Sequence, residues 1–242
     1  MKYLIFISLL LFITMNISMI FTDHVFTNEA FDNQNGFNQE QYERLDFFVR
    51  KSMQDFDESH DYNHAKKVLE NSLLIAISNE YRNAKLNLTT LVYSAFCHDI
   101  RDHKYSNSIS FDEFYRFLKQ EVPDNADDIV TIIDNISYSK QNKKRIETGS
   151  MKENDIPENL KPYIDIVRDA DRLEAIGKTG LKRCEDYQLS HGNKVPEDVI
   201  KHCHEKLLKL LPENFIVSEK AKELAIPLHD ELLEYIKFHS HK

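Results

Sequence analysis

Four residues at three places in the chain carry side chains that suit a single divalent cation: His64, the adjacent pair His98-Asp99, and Asp171. Imidazole nitrogen and carboxylate oxygen are both good ligands for Mn²⁺, Fe²⁺, Co²⁺, Ni²⁺ or Zn²⁺. Four protein ligands on a six-coordinate ion leave room for water and a substrate oxygen. An ion held there would activate water and polarise a phosphoryl oxygen, which is the chemistry of phosphate hydrolysis.

The sequence around these residues makes the pattern specific, since a lone His-Asp dipeptide is common by chance. The three segments are HDYNHAKKV at 60–68, AFCHDIRDHKY at 95–105 and RDADRLEAIG at 168–177. Together they resemble the H…HD…D signature of the HD-domain metal-dependent phosphohydrolases. The similarity is greatest to the small stand-alone branch whose third motif reads Asp-Ala-Asp-Arg-Leu, and it covers roughly residues 40 to 240.

This resemblance implies a fold, a reaction and a ligand set. The fold is an all-α HD-domain bundle with a metal site between helices. The reaction is hydrolysis of a phosphate ester or anhydride of a small molecule, with a nucleotide as the expected substrate, by a pyrophosphohydrolase or a phosphatase. The implied ligands of one divalent ion (Mn, Ni, Fe, Co, Zn or Mg) are His64, His98, Asp99 and Asp171.

Further roles follow from the same resemblance. Related stringent-response hydrolases place an acidic residue one helical turn beyond the HD pair, which makes Asp102 the predicted catalytic general acid/base. Asp169 and His60 are predicted to lie in the second shell of the metal. Three cations flank the ligands and match anionic oxygens, so they are the predicted substrate-binding residues: Arg101, Lys104 and Arg172.

Two other functions stay open at this point. His60 and His64 are four residues apart, so on one helix they would resemble the HExxH motif of a zincin metallopeptidase, with Asp61 in place of Glu. That interpretation leaves His98, Asp99 and Asp171 without a role. The second alternative is a catalytically inactive metal-binding interaction module, against which the complete ligand set and Asp102 argue.

Composition narrows the class of protein and of partner. The chain has 242 residues and a net charge of −9, which argues against duplex nucleic acid but not against a small phosphorylated substrate. Only 5 Gly and 6 Pro favour helices over a loop-rich β-fold. The three cysteines form no CxxC, so neither a zinc knuckle nor a disulfide framework is indicated. The oligomeric state is open.

The N-terminal residues are more apolar than the rest of the chain. Residues 3–21 form an apolar run close to the ~20 residues that span a bilayer. We therefore predict a hydrophobic segment at 1–22 (signal peptide or membrane anchor), a linker at 23–38 and an HD domain at 39–242. This predicts possible membrane association through residues 3–21 and a membrane or secretory location. The alternatives are a packed N-terminal helix and a cytoplasmic protein.

Apolar periodicity predicts the helices that must position the site. Helical spacing begins at Gln39, and a second helix carries His64 near its start. A third helix is predicted to end at His98-Asp99, and residues 146–158 are predicted to form a polar loop. A helix through Asp171 is predicted to run past Gly177, before two amphipathic stretches at 196–211 and 218–238.

Overall fold

The computed structural model describes residues 37–240, apart from residues 58, 59, 103, 104, 106, 152 and 154. Its described part is all α-helical, as predicted, and contains ten α-helices and no β-strand. In chain order these are α1 (Gln39–Ser52), α2 (Tyr62–Ala76), α3 (Leu88–Phe96), α4 (Phe111–Glu121), α5 (Ala126–Asp134), α6 (Tyr138–Thr148), α7 (Lys161–Ala175), α8 (Gly177–Ser190), α9 (Glu197–Glu205) and α10 (Glu219–Ser240). A short 3₁₀ turn, Leu207–Lys209, follows α9.

Helices α2, α3 and α7 form the centre of the bundle. All nine residues of α3 are buried, and α2 packs against both α3 and α7. The apolar side of α7 includes Ile166, Val167 and Ala170, each fully buried. Burying a side chain of valine or isoleucine size contributes about 1.5–3 kcal/mol. This packing holds the three chain segments that carry the candidate ligands against one another.

Side-chain caps fix where the helices begin. Asn38 and Gln41 form a reciprocal capping box at the start of α1. The Asp61 carboxylate accepts a hydrogen bond from the backbone N–H of His64 at 3.0 Å, which places His64 in the first turn of α2. Such a cap stabilises a helix by about 1 kcal/mol.

Three sequence predictions need correction. The third helix ends at Phe96 with Cys97 as its C-cap, so His98-Asp99 lies in the turns that follow rather than on the helix. The predicted loop at 146–158 begins inside α6, a helix that apolar periodicity did not predict. Only Gln141 of α6 is buried, so the helix has no apolar stripe to reveal it.

The helix through Asp171 does not continue past Gly177, as we had predicted, but breaks there. Ile176 is extended (φ −114°, ψ 172°), and Gly177 has a φ of +73°, which favours glycine. A Cβ on Gly177 would lie 2.7 Å from Cδ2 of Leu228, and one on Gly180 would clash with the carbonyl of Ala175. The break starts α8 directly at the end of α7 and brings α8 back towards the site.

The hydrophobic segment predicted at 1–22 and the linker up to residue 36 lie outside the described residues. No helix in the part of the chain that the structure describes has the length and apolar composition to cross a lipid bilayer.

Candidate metal centre

The structure brings His64, His98, Asp99 and Asp171 together. The Nε2 atoms of the two histidines are 3.2 Å apart. Oδ2 of Asp99 lies 3.6 Å and 3.3 Å from Nε2 of His64 and His98. Oδ1 of Asp171 lies 3.4 Å and 3.8 Å from the same two atoms. Two nitrogens and two carboxylate oxygens thus converge on one point, and this donor set fits a divalent cation of intermediate hardness.

Burial differs between the two kinds of donor. The imidazole side chains of His64 and His98 are 2% and 1% exposed, whereas the carboxylates of Asp99 and Asp171 are 24% and 35% exposed. The histidines therefore form the floor of the centre, and the carboxylates border its open side. A substrate would approach from the carboxylate side.

A hydrogen bond to the backbone orients His98. Its Nδ1 donates to the carbonyl oxygen of Ala95 at 2.9 Å, in the last turn of α3. The other ring nitrogen, Nε2, then faces the centre. Histidines that bind metals are commonly held in this way, with the second nitrogen donating to a carbonyl or carboxylate.

The charges at the centre stabilise one another. Burial by itself would lower the pKa of His98. The carboxylates of Asp99 and Asp171 outweigh burial and raise this pKa to about 9. Burial raises the pKa of Asp99, yet His98 and His64 outweigh burial and hold the pKa of that carboxyl well below its usual value. Burial also raises the pKa of Asp171, but His64 and His98 outweigh burial, so the pKa of this carboxyl is lowered. Both carboxylates are therefore ionised at neutral pH and favour positive charge beside them, carried by protons or by a cation.

The predicted general acid/base, Asp102, lies close to the HD pair in the chain. Its backbone N–H donates to the carbonyl oxygen of Asp99 at 3.0 Å, and its side chain is half-buried. Since this segment is a series of turns, the helical spacing by which we related Asp102 to Asp99 does not apply. The Arg101 guanidinium lies over the Phe111 ring, 4.8 Å from its centroid. Lys104 is outside the described residues.

The predicted phosphate contact from Arg172 does not fit its position. Arg172 is 3% exposed and donates to the carbonyl of Phe215 and, at 2.6 Å, to Oε1 of Gln141. Burial lowers its pKa to about 10, so it stays charged at neutral pH. Both terminal nitrogens are thus used inside the protein, where they tie α7 to α6 and to the segment before α10.

Asp169 also faces this segment. It is fully buried, and its carboxylate accepts hydrogen bonds from the backbone N–H groups of Val217 and Ser218 and from the Ser218 hydroxyl at 2.6 Å. These hydrogen-bond donors lie immediately before the first residue of α10. Two residues further on in α7, Asp171 faces the ligand cluster. One short stretch of α7 therefore holds the segment before α10 through Asp169 and contributes to the cluster through Asp171.

His60 precedes the helix that carries His64. Helix α2 begins at Tyr62 with Asp61 as its N-cap, so His60 and His64 do not share a helix face. This contradicts the geometry that the peptidase alternative needs, since HExxH places both histidines on one helix. The His60 ring lies 6.1 Å from that of His64, and its Nδ1 lies 3.4 Å from the Tyr105 hydroxyl. Its second-shell role stays a prediction.

Comparisons with known proteins agree with this architecture. YpgQ of Bacillus subtilis is 26% identical over 204 residues, which cover 81% of this chain and 91% of YpgQ. Its crystal structure matches with a TM-score of 0.63 at 22% identity over 84% of this chain and 95% of YpgQ, and another YpgQ crystal structure is a complex with ADP. An HD-superfamily hydrolase from Bacillus thuringiensis matches with a TM-score of 0.59 at 22% identity, over 84% of this chain and 96% of its own. The chain has the HD-superfamily fold. No family model matches it.

Within this HD fold, a cleft of about 660 Å³ shares His64 with the ligand cluster, and the sequence motifs did not predict it. Four cations line it, and we refer to it as the basic cleft: Lys67, Lys178, Lys182 and Arg183. Nη1 of Arg183 lies 2.9 Å from Nδ1 of His64 and 3.3 Å from the carbonyl oxygen of Glu174. The sequence does show that Lys178 and Lys182 are four residues apart, directly after the third motif. We did not relate these lysines to the site, because we predicted one continuous helix and not a break at Gly177.

Proposed function

We propose that this protein is a metal-dependent phosphohydrolase that acts on a phosphate ester or anhydride of a small molecule, with a nucleotide as the preferred class. The observation that carries the proposal is the convergence of His64, His98, Asp99 and Asp171 from α2, the turns after α3, and α7. These residues would hold one divalent cation. The HD fold, the mixed donor set and the open carboxylate side all support a hydrolytic site over a closed structural one.

When bound, the cation supplies Lewis-acid polarisation of the phosphoryl group and a more acidic water. Hydrolysis forms a bond between the water oxygen and phosphorus and breaks the bond between phosphorus and the leaving oxygen. One proton leaves the water and one reaches the leaving oxygen. Asp102 is the proposed group for this transfer, because its backbone is joined to that of Asp99 by a hydrogen bond and its side chain is half-buried.

Two observations favour a nucleotide. ADP is bound in a crystal structure of YpgQ, a protein of similar fold and 26% sequence identity. In this chain, a basic cleft of nucleotide-sized volume adjoins the ligand cluster. Pyrophosphate release and single-phosphate release are both compatible with this arrangement, so the product of the reaction decides between a pyrophosphohydrolase and a phosphatase.

The test is a substrate screen of the full chain with Mn²⁺, Ni²⁺ and Mg²⁺, read by release of phosphate and pyrophosphate. We expect about one ion per chain and turnover of at least one nucleotide. Asp99→Ala should remove the metal and the turnover together. Asp230→Ala, which alters an exposed aspartate on α10, is the matched control and should change neither.

Three outcomes would overturn the proposal. Full metal occupancy in Asp99→Ala would refute the ligand set. Cleavage of peptides in place of phosphate compounds would refute the reaction. Stoichiometric metal binding without turnover of any phosphorylated compound would favour the inactive interaction module.

A further inference from the structure

We propose that the basic cleft binds the phosphate groups of the substrate that are not being cleaved, so that the preferred substrate carries two or more linked phosphates. This inference rests on the proposed phosphohydrolase function, because it places the reacting phosphate at the ligand cluster. It adds a second anion-binding region and names Lys67, Lys178, Lys182 and Arg183 as the residues that form it.

The position of the basic cleft suits an extended anion. His64 belongs both to the ligand cluster and to the wall of the cleft, and Glu174 of that wall lies one helical turn from Asp171 on α7, so the two regions adjoin. A linear oligophosphate with one phosphate beside His64 and Asp171 would therefore direct its next phosphates along α8. The cleft volume of about 660 Å³ is within the range of small-molecule sites and well above that of a single phosphate.

The charges of the cleft also favour an anion, although the whole chain carries a net charge of −9. Three carboxylates line the cleft beside its four cations: Asp61, Glu174 and Asp186. Asp61 is occupied at the start of α2, where its oxygens accept from the His64 backbone and the Asn63 amide, and Glu174 accepts a hydrogen bond from the Asn71 amide. Lys182 pairs with Asp186, and Lys178 lies 3.9 Å from Glu231. These two lysines are 67% and 84% exposed, so their ion pairs are weak and can exchange for a phosphate group.

Arg183 lies where the two regions meet. Its guanidinium contacts His64 and the Glu174 carbonyl, and it lines the cleft. A planar guanidinium binds phosphate through two parallel hydrogen bonds, which a lysine cannot provide. Thr179 in the first turn of α8 also lines the cleft, and the positive end of this 14-residue helix favours an anion there.

The lining favours phosphates over a nucleobase. Among the described residues that form the cleft, none is Phe or Tyr, and His64 is the only ring. A base would find no aromatic surface on which to stack, whereas each lysine offers a donor that matches a phosphate oxygen. The oligophosphate, and not the base, is therefore the part of the substrate assigned to this cleft.

The experiment compares two double variants that remove the same charge. Lys178→Gln/Lys182→Gln alters the cleft. Lys143→Gln/Lys201→Gln is the control, because these lysines are 76% and 69% exposed and also form ion pairs at the surface, on α6 and α9. Tripolyphosphate binding to the full chain is measured by calorimetry in EDTA, where no turnover can contribute. We expect the cleft variant to bind tripolyphosphate at least about tenfold more weakly than the control does.

A second measurement uses turnover with Mn²⁺. The cleft variant should raise KM for a nucleoside triphosphate with little change in kcat, and should leave KM for a nucleoside monophosphate unchanged. Equal tripolyphosphate affinity in the two double variants would overturn the proposal, as would an equal rise in KM for both nucleotides. Because the binding arm needs no catalysis, a cleft effect in an inactive protein would refute the proposed function and leave the anion site standing.

Discussion

Nη1 of Arg183 lies 2.9 Å from Nδ1 of His64, although 119 residues separate the two in the chain. An arginine can only donate, so Nδ1 accepts this hydrogen bond and the ring proton of His64 is on Nε2 in this structure. Nε2 is also the atom that faces Asp99 and Asp171. A cation that takes the Nε2 lone pair requires the proton on Nδ1, and the hydrogen bond from Arg183 is then lost.

The first prediction follows from this competition. Arg183→Met keeps an unbranched side chain and removes the donors, so it should raise the affinity for Zn²⁺ or Mn²⁺ about three- to tenfold, as expected for losing a competing hydrogen bond worth about 1 kcal/mol. It should also weaken tripolyphosphate binding. Metal affinity is measured by competition with a chelating dye, with Lys201→Gln as the charge control. A lower metal affinity in Arg183→Met would show that the arginine supports the ligand instead.

The second prediction concerns pH. The carboxylates raise the pKa of His98 to about 9 against the effect of burial, so at neutral pH this ring is protonated and a metal must displace the proton. Affinity should therefore fall as pH falls, by about tenfold per unit between pH 8 and pH 6 for one displaced proton. Titration at constant ionic strength checks the slope. A pH-independent affinity would show that His98 does not bind through Nε2.

The convergence of His64, His98, Asp99 and Asp171 was predictable because it depends on residue types within local motifs. The roles of Asp169 and Arg172 were not, because they are decided by the segment from Phe215 to Ser218, which is more than forty positions away in sequence. Apolar periodicity revealed the helices that bury a stripe, such as α2 and α7. It did not reveal α6, which buries only Gln141, or the break at Gly177.

The third prediction separates the HD arrangement from the peptidase alternative. His60→Ala should keep most of the metal, since His60 lies before α2 and outside the cluster of Nε2 and carboxylate atoms. His98→Ala should lose it. Elemental analysis after dialysis gives the ion content of both variants. Loss of metal in His60→Ala alone would restore the peptidase assignment.

The fourth prediction tests the proton-transfer role of Asp102. Asp102→Asn keeps the size of the side chain and removes its charge, so kcat should fall at least about a hundredfold, the usual contribution of a general acid or base. Metal content and thermal stability should not change. The measurement is kcat at saturating metal, with Asp112→Asn on the exposed start of α4 as the control. Near-normal turnover would make Asp102 a solvated surface acid.

The fifth prediction distinguishes Asp169, the structural carboxylate of α7, from Asp171, the proposed metal ligand. Asp169 accepts hydrogen bonds from two backbone N–H groups and one hydroxyl, all at Val217 and Ser218, in a fully buried position. Asp169→Asn replaces one acceptor oxygen with an NH₂ group that faces these donors. We expect a loss of about 2–4 kcal/mol in the free energy of unfolding, because buried charge-assisted hydrogen bonds are broken and donors are left unsatisfied.

Urea denaturation at pH 7 measures this loss, and Ser218→Ala, which removes the hydroxyl alone, should cost about 1 kcal/mol. The folded Asp169→Asn protein should still bind about one ion per chain, because Asp171 faces the ligand cluster independently of the α10 contact. The opposite result, unchanged stability with lost metal, would return Asp169 to the second-shell role that the sequence suggested. It would also mean that its hydrogen bonds to Val217 and Ser218 contribute little to holding α10 on α7.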